Sequence, residues 1–170
     1  MPTSACRGCC SAPRIASRLA ASSARDCARS LTLLALHAVH RTLIKPSPNL
    51  TAYQVLNIQL QSLKNNKKLR NNLGIIQTYE FAHPENKKLT GPLQNFTRMI
   101  KSDNYSILLN HEKTKVGVIH QDQFHEVYLI QVTKGKKSEN FLWTLITYID
   151  ENKNAFWYTV NVIPYSKVST

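Results

Sequence analysis

The densest run of side chains able to do chemistry is His120, Gln121, Asp122, Gln123, Phe124, His125, Glu126. Imidazoles and carboxylates so close together are the raw material of a metal site, or of a His–Asp pair that moves a proton. Adjacency in sequence does not set three-ligand geometry, and the same polar residues most simply form a turn between two strands. His83 and His120 are the two candidates for a general base, which would suit a small lyase or isomerase acting on a hydrophobic carbonyl compound. Thiol chemistry is confined to the first part of the chain: Cys6, Cys9, Cys10 and Cys27 all precede residue 45. The Cys6, Cys9, Cys10 cluster lacks the second half that a zinc-binding cysteine motif needs. With 5 glycines in the chain and no Gly-rich loop or nucleophile elbow, a backbone cradle for phosphate is not expected. Neither a metal nor a cofactor is expected.

The net charge of +12 over 170 residues suggests a polyanion-binding protein until it is divided along the chain. Residues 1–45 hold basic side chains and one acid, Asp26, whereas residues 46–170 mix both signs and are only mildly basic. The basic groups of the latter part are Lys64, Lys67, Lys68 and Arg70, and Lys134, Lys136 and Lys137. Neither segment carries an interleaved aromatic on which a base could stack, and a solvated loop accounts for both. No nucleic-acid partner is expected.

Residues 1–45 are rich in Ala, Ser and Arg, the composition of an organellar targeting leader. Arg14, Arg18, Arg25 and Arg29 fall within about 60° of one another on a helix, with Ile15, Ala16 and Leu19 towards another side. A plastid (chloroplast) destination is expected, with the mitochondrion as the alternative; a disordered basic tail is the plainer reading. The apolar run Leu31 to Val39 could serve as a secretory signal, which would give meaning to the Asn49, Asn95 and Asn104 tripeptides, but it is too short to span a bilayer. No transmembrane segment is expected. Pro46 and Pro48 favour an extended linker and mark the start of a single domain over 46–170.

These groups must be held by helices first and strands afterwards. Thr51 can cap a helix to about Lys64 whose stripe is Val55, Leu56, Leu60 and Leu63, with Gln54, Asn57 and Gln61 on the other side. A shorter helix over 75–83 should stop at Pro84, and a third should start at Thr90 with the stripe Leu93, Phe96, Met99, Ile100. The period then changes. Residues 105–109, 114–121, 125–133, 140–149 and 155–163 are runs rich in β-branched and aromatic residues, separated by turn-forming stretches. Val116, Val118 and His120 suggest one covered face, while the last two runs are apolar on both sides and so belong at the sheet's centre or against a partner. The expectation is an α+β domain, three N-terminal helices packed on an antiparallel sheet of four to five strands.

The stretches "IQLQSLKNN", "YEFAHPENKKLTGPLQNFTRMI", "NYSILLNH" and "FLWTLITYID…FWYTVNVIP" resemble the domain-of-unknown-function 4864 family, in the versions found in photosynthetic organisms. The likeness covers nearly all of residues 50–164 and is most specific at Phe81, Thr90 to Leu93, Phe96, Met99, Tyr105, Leu108 to His111 and Trp157 to Pro164. It implies a curved, cone-like, cystatin-like sheet similar to the nuclear-transport-factor-2 fold, and a plastid or bacterial setting. It implies no assigned activity. It also implies an acidic or small polar residue just after the segment matching Trp157 to Thr159, where this chain has Val160.

A cone of that kind encloses a pocket between the sheet and the first helices. On this resemblance Tyr79, His83, His120, Tyr148, Trp157 and Asn161 map to its wall as ligand-binding residues, though each could equally be an amphipathic side chain at the edge of the core. The expected function is a non-catalytic module that holds an apolar small molecule, or that assembles as a homodimer or with a protein partner through the sheet's outer face. The cavity-histidine lyase or isomerase is the alternative.

Overall fold

A computed structural model describes residues 43–166. The leader with its arginine stripe, its apolar run and its four cysteines lies outside the described residues, apart from Leu43, Ile44 and Lys45.

Helix α1 spans Ala52–Lys64 and begins at a reciprocal cap. The Thr51 hydroxyl accepts from the Gln54 backbone N–H at 3.2 Å, and the Gln54 side chain accepts from the Thr51 N–H at 2.9 Å. Val55, Leu56, Leu60 and Leu63 are all buried, each stabilising the fold by about 2 kcal/mol. Gln59 lies on that same buried stripe.

Helix α2, Leu73–Glu80, lies so close to α1 that a Cβ on Gly74 would stand 2.2 Å from the Ser62 carbonyl oxygen. Glycine alone allows that approach. Asn71 and Asn72, with φ of 58° and 57°, turn the chain into α2 in the left-handed region that asparagine tolerates. Gln77 of α2 clamps the backbone of Ile44 from both sides, accepting from its N–H and donating to its carbonyl at 2.7 Å each. Lys45 pairs with Glu80 at 2.8 Å. Packing therefore starts ahead of the prolines that mark the linker.

Pro84 has a second role. It stands at the first position of a further helix, α3, Pro84–Thr90, where its missing N–H costs nothing and its φ is already helical. His83 caps α3 by accepting from the Glu85 N–H at 3.3 Å. Gly91 at φ 76° ends α3, and α4, Leu93–Ile100, follows with Pro92 as its cap. The described residues thus form four α-helices where the sequence suggested three. The run 105–109 is not a strand either: Ser106–Leu108 is a 3-10 turn that buries Ile107 and Leu108.

Four strands follow, β1 Lys113–Gln121, β2 His125–Lys134, β3 Lys137–Ile149 and β4 Ala155–Pro164, paired antiparallel in sequence order. Glu126, Tyr128, Ile130 and Val132 of β2 and Phe141, Trp143 and Leu145 of β3 alternate into the core. They meet the buried residues of α1, α2 and α4 in one cluster, so the domain is α+β with its helices preceding the sheet. Strand β1 departs from expectation. Val116 and Val118 pair with Ile130 and Tyr128, yet are 38% and 57% exposed, because the outer strand extends past the helical cover. At the other edge Phe81 to His83 add to β4: Thr159 donates to the Phe81 carbonyl and His83 donates to the Thr159 carbonyl, each at 2.9 Å.

Candidate functional site

Between α1, α2, α3, α4 and β4 lies a cavity of about 290 Å³. Its walls are mainly apolar, with Phe96, Met99, Ile100, Leu108, Val160 and Val162 prominent. Polar groups gather on its floor. Gln59 of α1, Trp143 of β3 and Thr159 of β4 all line it, and all three are buried.

The three form one hydrogen-bonded unit. Thr159 Oγ1 donates to Gln59 Oε1 at 2.7 Å; Trp143 Nε1–H is shared between Gln59 Oε1 at 3.2 Å and Thr159 Oγ1 at 3.1 Å. Gln59 Nε2 donates to the Thr78 carbonyl at 3.1 Å. The amide has two N–H donors and the threonine oxygen two lone pairs. By that count one donor on Gln59 and one lone pair on Thr159 are left over within the unit. No buried side-chain nitrogen or oxygen among the described residues lacks a partner altogether, so the unit is satisfied by protein groups and keeps further hydrogen-bonding capacity.

The mouth is made by the segment Pro84–Ile100. Tyr79 donates to the Gly91 carbonyl at 3.1 Å and packs its ring on Phe96 at 5.1 Å. Asn86 donates to the Val160 carbonyl. Tyr105 donates to the Val162 carbonyl at 3.1 Å. Helix α3 itself buries no residue, and Leu89, at the rim, is 85% exposed.

Of the residues mapped to the wall, Tyr79 and Asn161 line the cavity and the other four do not. His83 is spent on the α3 cap and meets Tyr148 and Tyr158 edge-on, at 5.9 Å and 6.1 Å. Tyr148 is exposed in that aromatic cluster. Trp157 is half-buried against the core, paired with Thr147. His120 stands in the exposed β1–β2 hairpin. The mapping of these four rests on the family resemblance and not on spacing, and the cavity's lining does not include them. Gln59, Trp143 and Thr159 were missed. The available signal was a glutamine at the i+4 and i−4 positions of Val55 and Leu63, polar in the middle of an apolar stripe.

The hairpin is indeed a turn. Asp122 Oδ1 accepts from the Phe124 and His125 N–H groups at 2.8 Å and 2.7 Å, and its Oδ2 meets His120 Nε2 at 2.8 Å. His120 together with those N–H donors holds the Asp122 carboxyl down at about 2. Below it, Glu126 is buried and accepts from Gln121 Nε2 at 3.1 Å and from the Tyr128 hydroxyl. Burial, reinforced by that carboxylate, pushes the Tyr128 phenol up.

The two lysine groups converge on one turn. Lys134 Nζ donates to the Leu109 carbonyl at 2.8 Å, the Lys67 N–H donates to Asn110 Oδ1 at 2.5 Å, and both Lys64 and Lys134 act on the buried His111.

No family profile, curated protein or solved structure matches the chain.

Proposed function

We propose that the domain is a small-ligand-binding module whose cavity takes an uncharged, mostly apolar molecule with one polar end carrying adjacent donor and acceptor groups. The observation that carries this is the Gln59–Trp143–Thr159 unit, buried at the floor of an otherwise apolar cavity and retaining one donor and one acceptor. Among the described residues that line the cavity none is charged, so a charged ligand would lose its hydration without a counter-ion. Apolar walls with a few placed polar groups are the usual make-up of a binding pocket. The cavity-histidine lyase or isomerase finds no support here, because neither His83 nor His120 lines the cavity.

The cone-like, cystatin-like description and membership of the 4864 family belong to this same reading, and are supported by the resemblance of residues 50–164. So is the plastid destination, which rests with its mitochondrial alternative on the composition of residues 1–45. No described helix is long and apolar enough to cross a membrane.

Native mass spectrometry of the purified full chain tests the proposal, with Ala82→Phe as the control that fills the cavity. The parent is expected to carry a small molecule that Ala82→Phe loses while remaining folded. Equal occupancy in both, or a species bound only outside the cavity, would overturn it.

A second reading is favoured by one feature of the sheet. On the face turned away from the core, Leu129, Leu142 and Ile163 stand in one row across β2, β3 and β4, with Ile163 46% exposed. Such a row suits coverage by a second copy or another protein, and sedimentation as a monomer at high concentration would count against it.

A further inference from the structure

We propose that the β1–β2 hairpin is a binding site for a zinc-class divalent transition metal, with His120, Asp122 and His125 as its three protein ligands. One ligand atom from each residue lies within 4.8 Å of the other two. The closest pair, His120 Nε2 and Asp122 Oδ2, is 2.8 Å apart. Two ligands of one tetrahedral metal at bond lengths of about 2.1 Å stand about 3.4 Å apart, so a separation of roughly 0.6 Å more brings that pair to the spacing of neighbouring ligands. The remaining closure brings in the partly buried His125 imidazole, whose ring centre is 5.3 Å from that of His120.

The backbone brings the ligands together by a specific device. Up to Val118 the strands pair regularly, Val118 with Tyr128, and both side chains face the core side. An unbroken register would set His120 opposite Glu126 on that side, away from His125. The extra residue at Ile119 moves His120 to Val127, which shares a face with His125 two positions earlier. His120 and His125 become diagonal neighbours on one face of the hairpin. Asp122 is fixed independently. Its Oδ1 is occupied by two backbone N–H groups, which leaves Oδ2 directed at the imidazole. The hairpin tip is in turn anchored to β3, where Thr147 donates through its N–H to Phe124 at 2.8 Å and through its hydroxyl to Gln123 at 3.2 Å.

Two imidazoles and one carboxylate select zinc, nickel or copper over magnesium or calcium, whose sites are built of oxygen. The half-exposed ligands leave the metal's outer positions to water. This site is separate from the cavity and independent of the ligand proposed for it.

The test uses the full chain with Cys6, Cys9, Cys10 and Cys27 changed to Ser, so that thiolates do not compete, and zinc chloride as the probe. Titration calorimetry is expected to show a site that His120→Asn and His125→Asn each weaken by about tenfold or more, with unchanged melting temperature. Ring nitrogen signals in the parent protein provide a readout that needs no variant: zinc should shift His120 and His125 and leave His83 and His111 in place. If those two rings do not move at saturating zinc, or both variants bind within about twofold of the parent, the site does not exist.

Discussion

Replacing Gln59 with Leu should destabilise the domain more than replacing Thr159 with Val, although both remove polar atoms from the same buried unit. Gln59→Leu deletes three hydrogen bonds at once, to the Thr78 carbonyl at 3.1 Å, from Trp143 at 3.2 Å and from Thr159 at 2.7 Å. At about 1 kcal/mol net for each neutral bond the loss is about 3 kcal/mol, offset in part by the added apolar burial of leucine. The Thr78 carbonyl keeps the Phe81 N–H at 3.3 Å and Trp143 keeps Thr159 at 3.1 Å, but the Thr159 hydroxyl loses its acceptor. A net cost of about 2 kcal/mol follows. Thr159→Val is close to isosteric and deletes two bonds, yet strands nothing: Trp143 and Gln59 still bond each other at 3.2 Å. Its cost should be about 1 kcal/mol. Urea unfolding of the full chain, followed by far-ultraviolet circular dichroism at constant m, measures both. If Gln59→Leu costs no more than Thr159→Val, or if both lie within about 0.5 kcal/mol of the parent, the unit does not organise the cavity floor as described.

Gly74→Ala should cost about 3 kcal/mol, visible as a large fall in melting temperature, because the new methyl would stand 2.2 Å from the Ser62 carbonyl oxygen and helices α1 and α2 must separate to admit it. A melting temperature within error of the parent would mean that this contact is not close. The buried His111 ring, 2.7 Å from the Leu108 carbonyl through Nδ1, is pushed below its ordinary value by burial, with Lys64 and Lys134 acting in the same direction against that carbonyl. The folded protein therefore takes up this proton less readily than the unfolded chain. The stability His111 contributes is complete above about pH 6.5 and is lost as pH falls below it. A ring-signal titration should give a His111 midpoint below the ordinary histidine value, and a midpoint at or above it would refute the burial argument.

Much of the scaffold was legible because it rests on local rules. The α1 stripe, its Thr51 cap and the last three strands follow from helical spacing, capping chemistry and β-branched runs, and the structure places them within a few residues. Pro84 was read only as a stop, although a proline that ends one helix serves equally well as the first residue of the next. Residues 105–109 have strand composition, but Ile107, Leu108 and Leu109 bury consecutively in a tight turn against the core, with no strand for them to pair with. Val116 and Val118 alternate correctly but have no helix above them, which is a property of the assembled layers. The cavity floor was the least legible part. It joins residues from α1, β3 and β4, and Gln59 and Thr159 are 100 positions apart. Only the oddity of a glutamine within an apolar stripe marked it in advance.

The most direct test of the account is methyl nuclear magnetic resonance of the full chain, titrated with benzamide and, separately, with benzoate. Benzamide is uncharged, apolar over most of its surface, and carries the adjacent donor and acceptor that Gln59 and Thr159 leave unmatched. It should shift the methyl signals of Met99, Ile100 and Val162 saturably, and Thr159→Val should weaken that response, while benzoate leaves the same signals unmoved. No saturable shift with benzamide, or an equal response to benzoate, would contradict a neutral, polar-floored ligand site.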